Sequence, residues 1–256
     1  MNKPTYKDLL DAGCHFGHMK RKWNAAMLPY IFEERKGIHI IDLNHTLETM
    51  EQAAKAMKSI AKSGRKILFV STKKQGRDVI AQCAHSVDMP FVSDRWLGGM
   101  LTNFQTIRKS VKKMQSIDRM LTDGTLESVT KKEKLLLSRK KDKLAKTFGG
   151  ISELSRLPSA IFIVDIFHEH LALAEARRLG LKTFAMVDTN SNPNLVDFPI
   201  PANDDSSKSI EIIVRYITEA IKEGLEERKA AKGAEKTAAP VAAAEPAAEA
   251  PATPAE

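Results

Sequence analysis

Cysteine is almost absent from this chain. Cys14 and Cys83 are the only two thiols in 256 residues, and no Cys-x-x-Cys occurs. That excludes a disulfide framework and the paired-thiolate signature of a structural zinc site, and it fits a reducing compartment. No apolar run approaches the roughly 20 residues that a bilayer-spanning helix needs. The start, Met1-Asn2-Lys3-Pro4-Thr5-Tyr6, lacks the apolar run of a signal peptide. A cytoplasmic protein with no membrane partner is therefore expected. The usual signatures of small-molecule chemistry are missing too. No Gly-x-Gly-x-x-Gly follows an apolar run, and there is no Gly-x-x-x-x-Gly-Lys-[Ser/Thr], Gly-x-Ser-x-Gly or His-Glu-x-x-His. No cofactor and no small-molecule substrate are expected, and no catalytic residue stands out.

What the chain has is an uneven distribution of charge. Residues 1–147 carry 29 Lys+Arg against 15 Asp+Glu, while residues 148–256 carry 11 against 17. Within the first part, residues 104–147 hold 13 basic and 5 acidic residues, a balance of +8 that equals the net charge of the whole protein. A positive arm on a nearly balanced body most often meets a nucleic acid. The alternative is a solvated charged helix that binds nothing.

Apolar runs and helical periodicities alternate along the chain. Strands are expected over residues 38–43, 66–70, 90–92, 160–166 and 183–187. Helices are expected over residues 46–63, 75–87, 169–179 and 206–225; Gly64 and Gly180 stop two of them. Continuous apolar strands joined by helices imply a parallel sheet covered on both faces. The expected fold class is α/β, a flavodoxin-like or Rossmann-like three-layer sheet.

One region breaks the alternation. Phe104, Ile107, Val111, Met114, Ile117 and Leu121 recur at gaps of three and four, the narrow seam of a coiled coil. Thr122-Asp123-Gly124 signals a turn, and Thr130-Lys131-Lys132-Glu133 reads as a capping box opening a second helix that Gly149-Gly150 ends. The expected organisation is a sheet domain over 1–103 and 149–229, with an inserted antiparallel coiled-coil hairpin, strongly basic, over 104–148. Residues 230–256 contain 13 Ala and 4 Pro and no aromatic, so a disordered tail is expected there.

Candidate sites follow from the loops at the carboxyl ends of the strands. The segment Ser71-Thr72-Lys73-Lys74-Gln75-Gly76-Arg77 lies between a strand and a helix; it reads equally as an anion site or as an exposed turn. His15 and His18 beside Cys14, and His168-Glu169-His170, are small clusters without metal-site spacing, for which polar contacts or caps are the expectation. Cys83 and His85 sit on a helix that packs. Gly13 to Asn24 mixes bases, aromatics and glycines. Lys20, Arg21 and Lys22 there suit phosphate contacts, while Phe16 and Trp23 suit anchoring onto the sheet or stacking on bases.

Taken together, certain motifs carry a resemblance. They are Gly13-x-His15-Phe16-Gly17-His18, Trp23-Asn24 with Pro29-Tyr30-Ile31, Ile41-Asp42-Leu43 with Thr46, and Thr72-Lys73-Lys74-Gln75. Further along come Arg95-Trp96-Leu97-Gly98-Gly99-x-Leu101-Thr102-Asn103-Phe104, Leu157-Pro158, Asp188-Thr189-Asn190 with Pro193, and Pro199-Ile200-Pro201-x-Asn203-Asp204-Asp205. They run in order from residue 13 to 205, and the chain resembles the family of the second protein of the bacterial small ribosomal subunit. Two departures are Ala25-Ala26, where the family usually has Pro-Lys, and Ala202, where it usually has Gly. The resemblance implies a structural, non-catalytic protein held on small-subunit rRNA. It also implies neighbouring small-subunit proteins as partners, including the mRNA-binding protein built from repeated OB-folds. Asp42, Asp165 and Asp188 then become turn and cap residues. The rRNA contacts expected on the body are Lys20, Arg21, Lys22, Lys73, Lys74, Arg77, Arg95, Trp96 and Asn103. On the arm they are Arg108, Lys109, Lys112, Lys113, Lys131, Lys132, Arg139, Lys140 and Lys141.

Overall fold

A computed structural model of the protein describes residues 3–123 and 130–238, with side chains as far as Ala231. Five strands form an all-parallel sheet in the order β5-β4-β6-β7-β8. They are β4 (Ile67–Val70), β5 (Phe91–Val92), β6 (Ala160–Val164), β7 (Lys182–Val187) and β8 (Phe198–Pro201). Every residue of β4 and β6 is buried, as a sheet covered on both faces requires. Side chains alternate between two cores. Ile67, Phe69, Phe162, Phe184, Met186 and Ile200 pack against α2 (Leu43–Lys62), α3 (Lys74–Ser86) and α7 (Ser207–Ala238). Leu68, Val70, Ile161, Ile163, Ala185 and Val187 face the other way, onto α6 (His170–Arg178) and the first half of α4 (Phe104–Thr122). The result is the three-layer α/β arrangement that the apolar runs imply.

The membership of the sheet differs from expectation. The strand expected over 38–43 is β3 (Ile38–Ile41), and it lies outside the parallel sheet. It is the middle of a separate antiparallel ribbon, between β1 (Phe16–Met19) and β2 (Ile31–Arg35). Its apolar run, Ile38-His39-Ile40-Ile41, has no parity to say which sheet it joins. The fifth parallel strand is β8, hidden in the sequence by Pro199 and Pro201. Proline donates no ladder bond, which an edge strand tolerates because one side of it goes unpaired.

Local signals account for the helix boundaries. Asp42 caps α2 by accepting from the Asn44 N–H at 2.9 Å. Thr130 caps α5 (Lys131–Phe148): its hydroxyl oxygen accepts from the Glu133 N–H at 3.4 Å and lies 3.1 Å from that residue's carboxylate. Gly180 ends α6 in the left-handed region at φ +65°. The last helix is longer than expected. It passes Leu225 and runs nine residues into the segment read as a tail, to Ala238. Alanine, lysine and glutamate sustain it, and Pro240 lies just beyond. Residues 239–256 lie outside the described residues, as do 124–129 with the Gly124 turn. Helices α4 and α5 pack on each other, with Ile107, Val111, Met114 and Ile117 buried along α4 and Lys141 2.5 Å from Asp118.

The broadest helix contact is between α2 and α7. Its close approach depends on Gly224, where an added Cβ would lie 2.5 Å from the Lys58 carbonyl oxygen. Lys58 and Lys62 then bridge to Glu223 and Glu227 at 2.9–3.0 Å. Gly224→Ala is expected to push the two helices apart and cost about 1–3 kcal/mol, the usual range for overpacking. Urea denaturation followed by circular dichroism measures it; an unchanged midpoint would mean the crossing is loose.

Candidate nucleic-acid interface

Five connections leave the carboxyl ends of the parallel strands, the edge where an open α/β sheet ordinarily takes its ligand. Here the chain's own carboxylates fill much of that edge. After β4, Thr72 donates its N–H and its hydroxyl to Glu169 Oε1 at 2.7 and 2.5 Å. The next residue, Lys73, turns inward. Its ammonium stands 2.7 Å from Asp204 Oδ1, 2.6 Å from Asp205 Oδ1 and 3.1 Å from Asp165 Oδ2. Burial works against that charge, but the carboxylates, Asp204 foremost, outweigh it and hold the Lys73 pKa above the ordinary lysine range. So the segment from Ser71 to Arg77 is neither an open anion cradle nor a fully solvated turn.

Asp165 and Asp204 close the same cluster from other strands. Asp165, after β6, sits in the left-handed region at φ +66°, which Asp tolerates better than most residues. Its Oδ1 accepts from the Phe167 and His168 N–H groups at 3.0 and 3.1 Å. Asp204, after β8, is fully buried. Burial and the charges of Asp165 and Asp188 push its pKa up to about 7, against the pull of Lys73.

The N-terminal stretch is knitted across this edge. Thr189 accepts from the His18 N–H on its hydroxyl oxygen and from the Asn24 N–H on its carbonyl, each at 2.8 Å. Gly17 passes so near that a Cβ there would lie 2.6 Å from the Thr189 methyl. Asn203 donates its side-chain amide to the Gly13 carbonyl at 3.0 Å and its N–H to that of Cys14 at 3.1 Å. The His18 imidazole lies between Asp188 Oδ2, 3.0 Å away, and Asp205 Oδ2, 3.5 Å away; Asp188 raises its pKa above the ordinary value. Four motifs that are distant in sequence therefore meet at one place. The two family departures fit locally: Ala202 is buried without a left-handed backbone, and Ala25-Ala26 open a 3-10 turn capped by Asn24. Trp23 packs on the His39 ring at 5.0 Å, which favours the anchoring role for that aromatic, while Phe16 is half exposed. Burial raises both thiol pKa values, so neither Cys14 nor Cys83 is an activated nucleophile.

The loop after β5 is organised by another carboxylate, Glu175 of α6. It accepts from the Gly99 N–H (2.7 Å), the Leu101 and Thr102 N–H groups (3.0 Å each), the Thr102 hydroxyl (3.1 Å) and the Trp96 indole N–H (3.1 Å). Trp96, expected to touch RNA, is buried at 6% exposure as part of this mount.

The remaining expected contacts are divided. Lys20, Arg21, Lys22, Lys74, Arg95 and Asn103 are exposed, with Lys20 2.7 Å from Glu34; Arg77 is half-buried, 3.7 Å from Asp94. On α4 and α5, Arg108, Lys109, Lys112, Lys113, Lys131, Lys132, Arg139 and Lys140 are exposed. Among the described residues none of these eight forms an ion pair; Lys141 does, with Asp118. Sequence reasoning missed Glu169, Glu175 and Asp204 as organisers. Glu169 was visible inside His168-Glu169-His170, but nothing in the local sequence distinguishes Glu175 from any surface helix glutamate.

Comparison with known proteins agrees with this placing of motifs. A family model described as Ribosomal protein S2 matches residues 9–224. A protein of Parabacteroides distasonis named small ribosomal subunit protein uS2 is 58% identical over 224 residues, covering 88% of this chain and 81% of its own. One of the same name from Cytophaga hutchinsonii is 58% identical over 221 residues, covering 86% and 87%. Another from Porphyromonas gingivalis is 57% identical, covering 88% and 80%.

Glu175 yields a test of the loop mount. Burial works to raise its pKa, but the N–H bonds from Thr102, Gly99 and Leu101 and the Trp96 indole outweigh that and hold it below the ordinary 4.5. A depressed carboxylate stabilises the fold above its unfolded value and loses that contribution as pH falls through the folded one. Glu175→Gln sets an amide N–H₂ against N–H donors and is expected to cost about 1–3 kcal/mol at pH 7. The gap to the unsubstituted protein should narrow below pH 4.5. Chemical denaturation at pH 7, 5, 4 and 3 checks both; a gap independent of pH would remove the carboxylate's charge from the explanation.

Proposed function

The chain belongs to the ribosomal protein S2 family, a structural and non-enzymatic one, and we propose that it is a constituent of the small ribosomal subunit that binds that subunit's rRNA. The observation that carries the reading is the set of eight exposed cations on α4 and α5, unpaired among the described residues, against a body that turns Asp165, Glu169, Asp188 and Asp204 inward. Helix cations of this kind neutralise phosphates and position more than they read sequence. Residues 104–148 act as a basic coiled-coil hairpin mounted on a body of residues 1–103 and 149–229. The buried seam of α4 and its ion pair to α5 support that division. Lys20, Arg21, Lys22, Lys74, Arg77, Arg95 and Asn103 extend the contact along the body. Lys73 and Trp96 serve it indirectly, by holding the loops that carry Lys74 and Arg95.

The protein also supports docking of the mRNA-binding multi-OB-fold protein and contacts other small-subunit proteins in the cytoplasm. Among the described residues no helix is long and apolar enough to cross a membrane. If 6–10 phosphates are neutralised, affinity for rRNA should fall about 10³–10⁵-fold between 50 and 200 mM salt. Reversing Lys112, Lys113, Arg139 and Lys140 to glutamate should flatten that salt dependence and exclude the tagged protein from sedimenting small subunits. Lys141 is left intact to preserve its bridge to Asp118. Incorporation at wild-type level would show that the arm does not hold RNA.

A further inference from the structure

The opposite edge of the sheet carries a groove that no part of the arm's chemistry uses. It lies at the amino ends of β4, β5 and β6, where α5 returns to the body. A cavity of about 600 Å³ there is continuous with a second of about 360 Å³, since His85, Phe91, Gly149 and Gly150 line both. The last turn of α5 and the two glycines form one wall, and the end of α3 forms the other. Gly150 lets the first wall stand this close, because a side chain there would run into the Phe91 carbonyl. Each volume falls in the range of ligand sites rather than of packing defects.

The groove does not balance its own charge. Lys66 is held 2.6 Å from the Asp88 carboxylate. Among the described residues, Arg65, Lys146 and Arg156 are exposed and pair with no carboxylate, and Glu153 is the one acid of the lining left against them. Arg65 and Arg156 belong to the larger cavity and Lys146 to the smaller. Between the two stands His85. Its ring meets Phe91 edge-on, with centroids 4.8 Å apart and planes at 68°, and it stays exposed. Spaced cations hold successive phosphates, and an exposed aromatic face takes an unstacked base. We infer that the groove binds a nucleotide of a single-stranded RNA segment, with its base on His85 and the flanking phosphates on Arg65, Arg156 and Lys146. A closed pocket would suit a free nucleotide; a groove that runs past the imidazole on both sides suits one held in a strand. The inference rests on the rRNA reading above for the source of that strand. It adds a contact at the root of the arm that selects unpaired RNA, where the arm itself takes phosphates of any segment.

Titration of the full-length protein at fixed pH with tetra-adenylate, AMP and inorganic phosphate, read by NMR on the His85 ring protons, tests this. Tetra-adenylate is expected to shift those protons saturably and to bind at least about 10-fold more tightly than AMP, while phosphate leaves them unmoved. Replacing Arg65 and Arg156 together by glutamine is expected to weaken the tetra-adenylate response at least about 10-fold. No shift at His85, a shift by phosphate alone, equal affinity for AMP, or an unchanged response in the double variant would overturn the assignment. So would displacement by tetraglutamate, since charge alone would then fill the groove. Should the double variant not fold, the comparison of probes on the unsubstituted protein decides. The variant with Lys112, Lys113, Arg139 and Lys140 reversed separates this site from the arm. Its His85 response should survive; loss of that response would assign the shift to the arm and remove the groove site. Entry of that variant into small subunits, with the His85 response intact, would defeat the arm reading and leave the groove standing.

Discussion

Buried and half-buried carboxylates hold the working edge of this protein together. Glu169 fixes the loop after β4, Glu175 the loop after β5, and Asp165 the turn after β6, each by accepting N–H bonds that those loops could not otherwise satisfy away from water. A nucleotide-binding sheet of the same architecture leaves such donors free for a phosphate. In this chain an internal acid fills the place, so the sheet is closed to small-molecule chemistry at the loops where that chemistry is usually built. The cluster around Lys73 extends the device, drawing β4, β6 and β8 to a common point.

The same device sorts charge by place. Asp165, Asp188 and Asp204 are turned into the body, while Lys74, Arg95 and the cations of α4 and α5 point to solvent. Rigid loops also reduce the ordering cost of meeting a partner, since the side chains that reach outward stand on mounts already fixed.

Much of the fold was legible because its strands are continuous apolar runs and its helices carry clean stripes and stop signals. The helix over Phe104–Thr122 was legible for the same reason: Ile107, Val111, Met114 and Ile117 mark a buried line that charge cannot interrupt. Legibility failed where two structures share one pattern. Ile38 to Ile41 suits either a parallel strand or an antiparallel ribbon, and Pro199 and Pro201 disguise an edge strand as a loop. Among the site residues, Lys73 and Trp96 were read as outward because a lysine after a strand and a tryptophan beside glycines are indistinguishable, in sequence, from ligand contacts.

Composition and periodicity alone determined the α/β layering, the placement of positive charge and the lack of catalytic motifs, because each depends on residues close together in the chain. Which cations face solvent and which carboxylates are consumed was decided only in three dimensions. Lys73 meets Asp204 across 131 positions, and Trp96 meets Glu175 across 79. No local pattern encodes a partner that far away, since the pairing exists only once the strands have taken their order in the sheet.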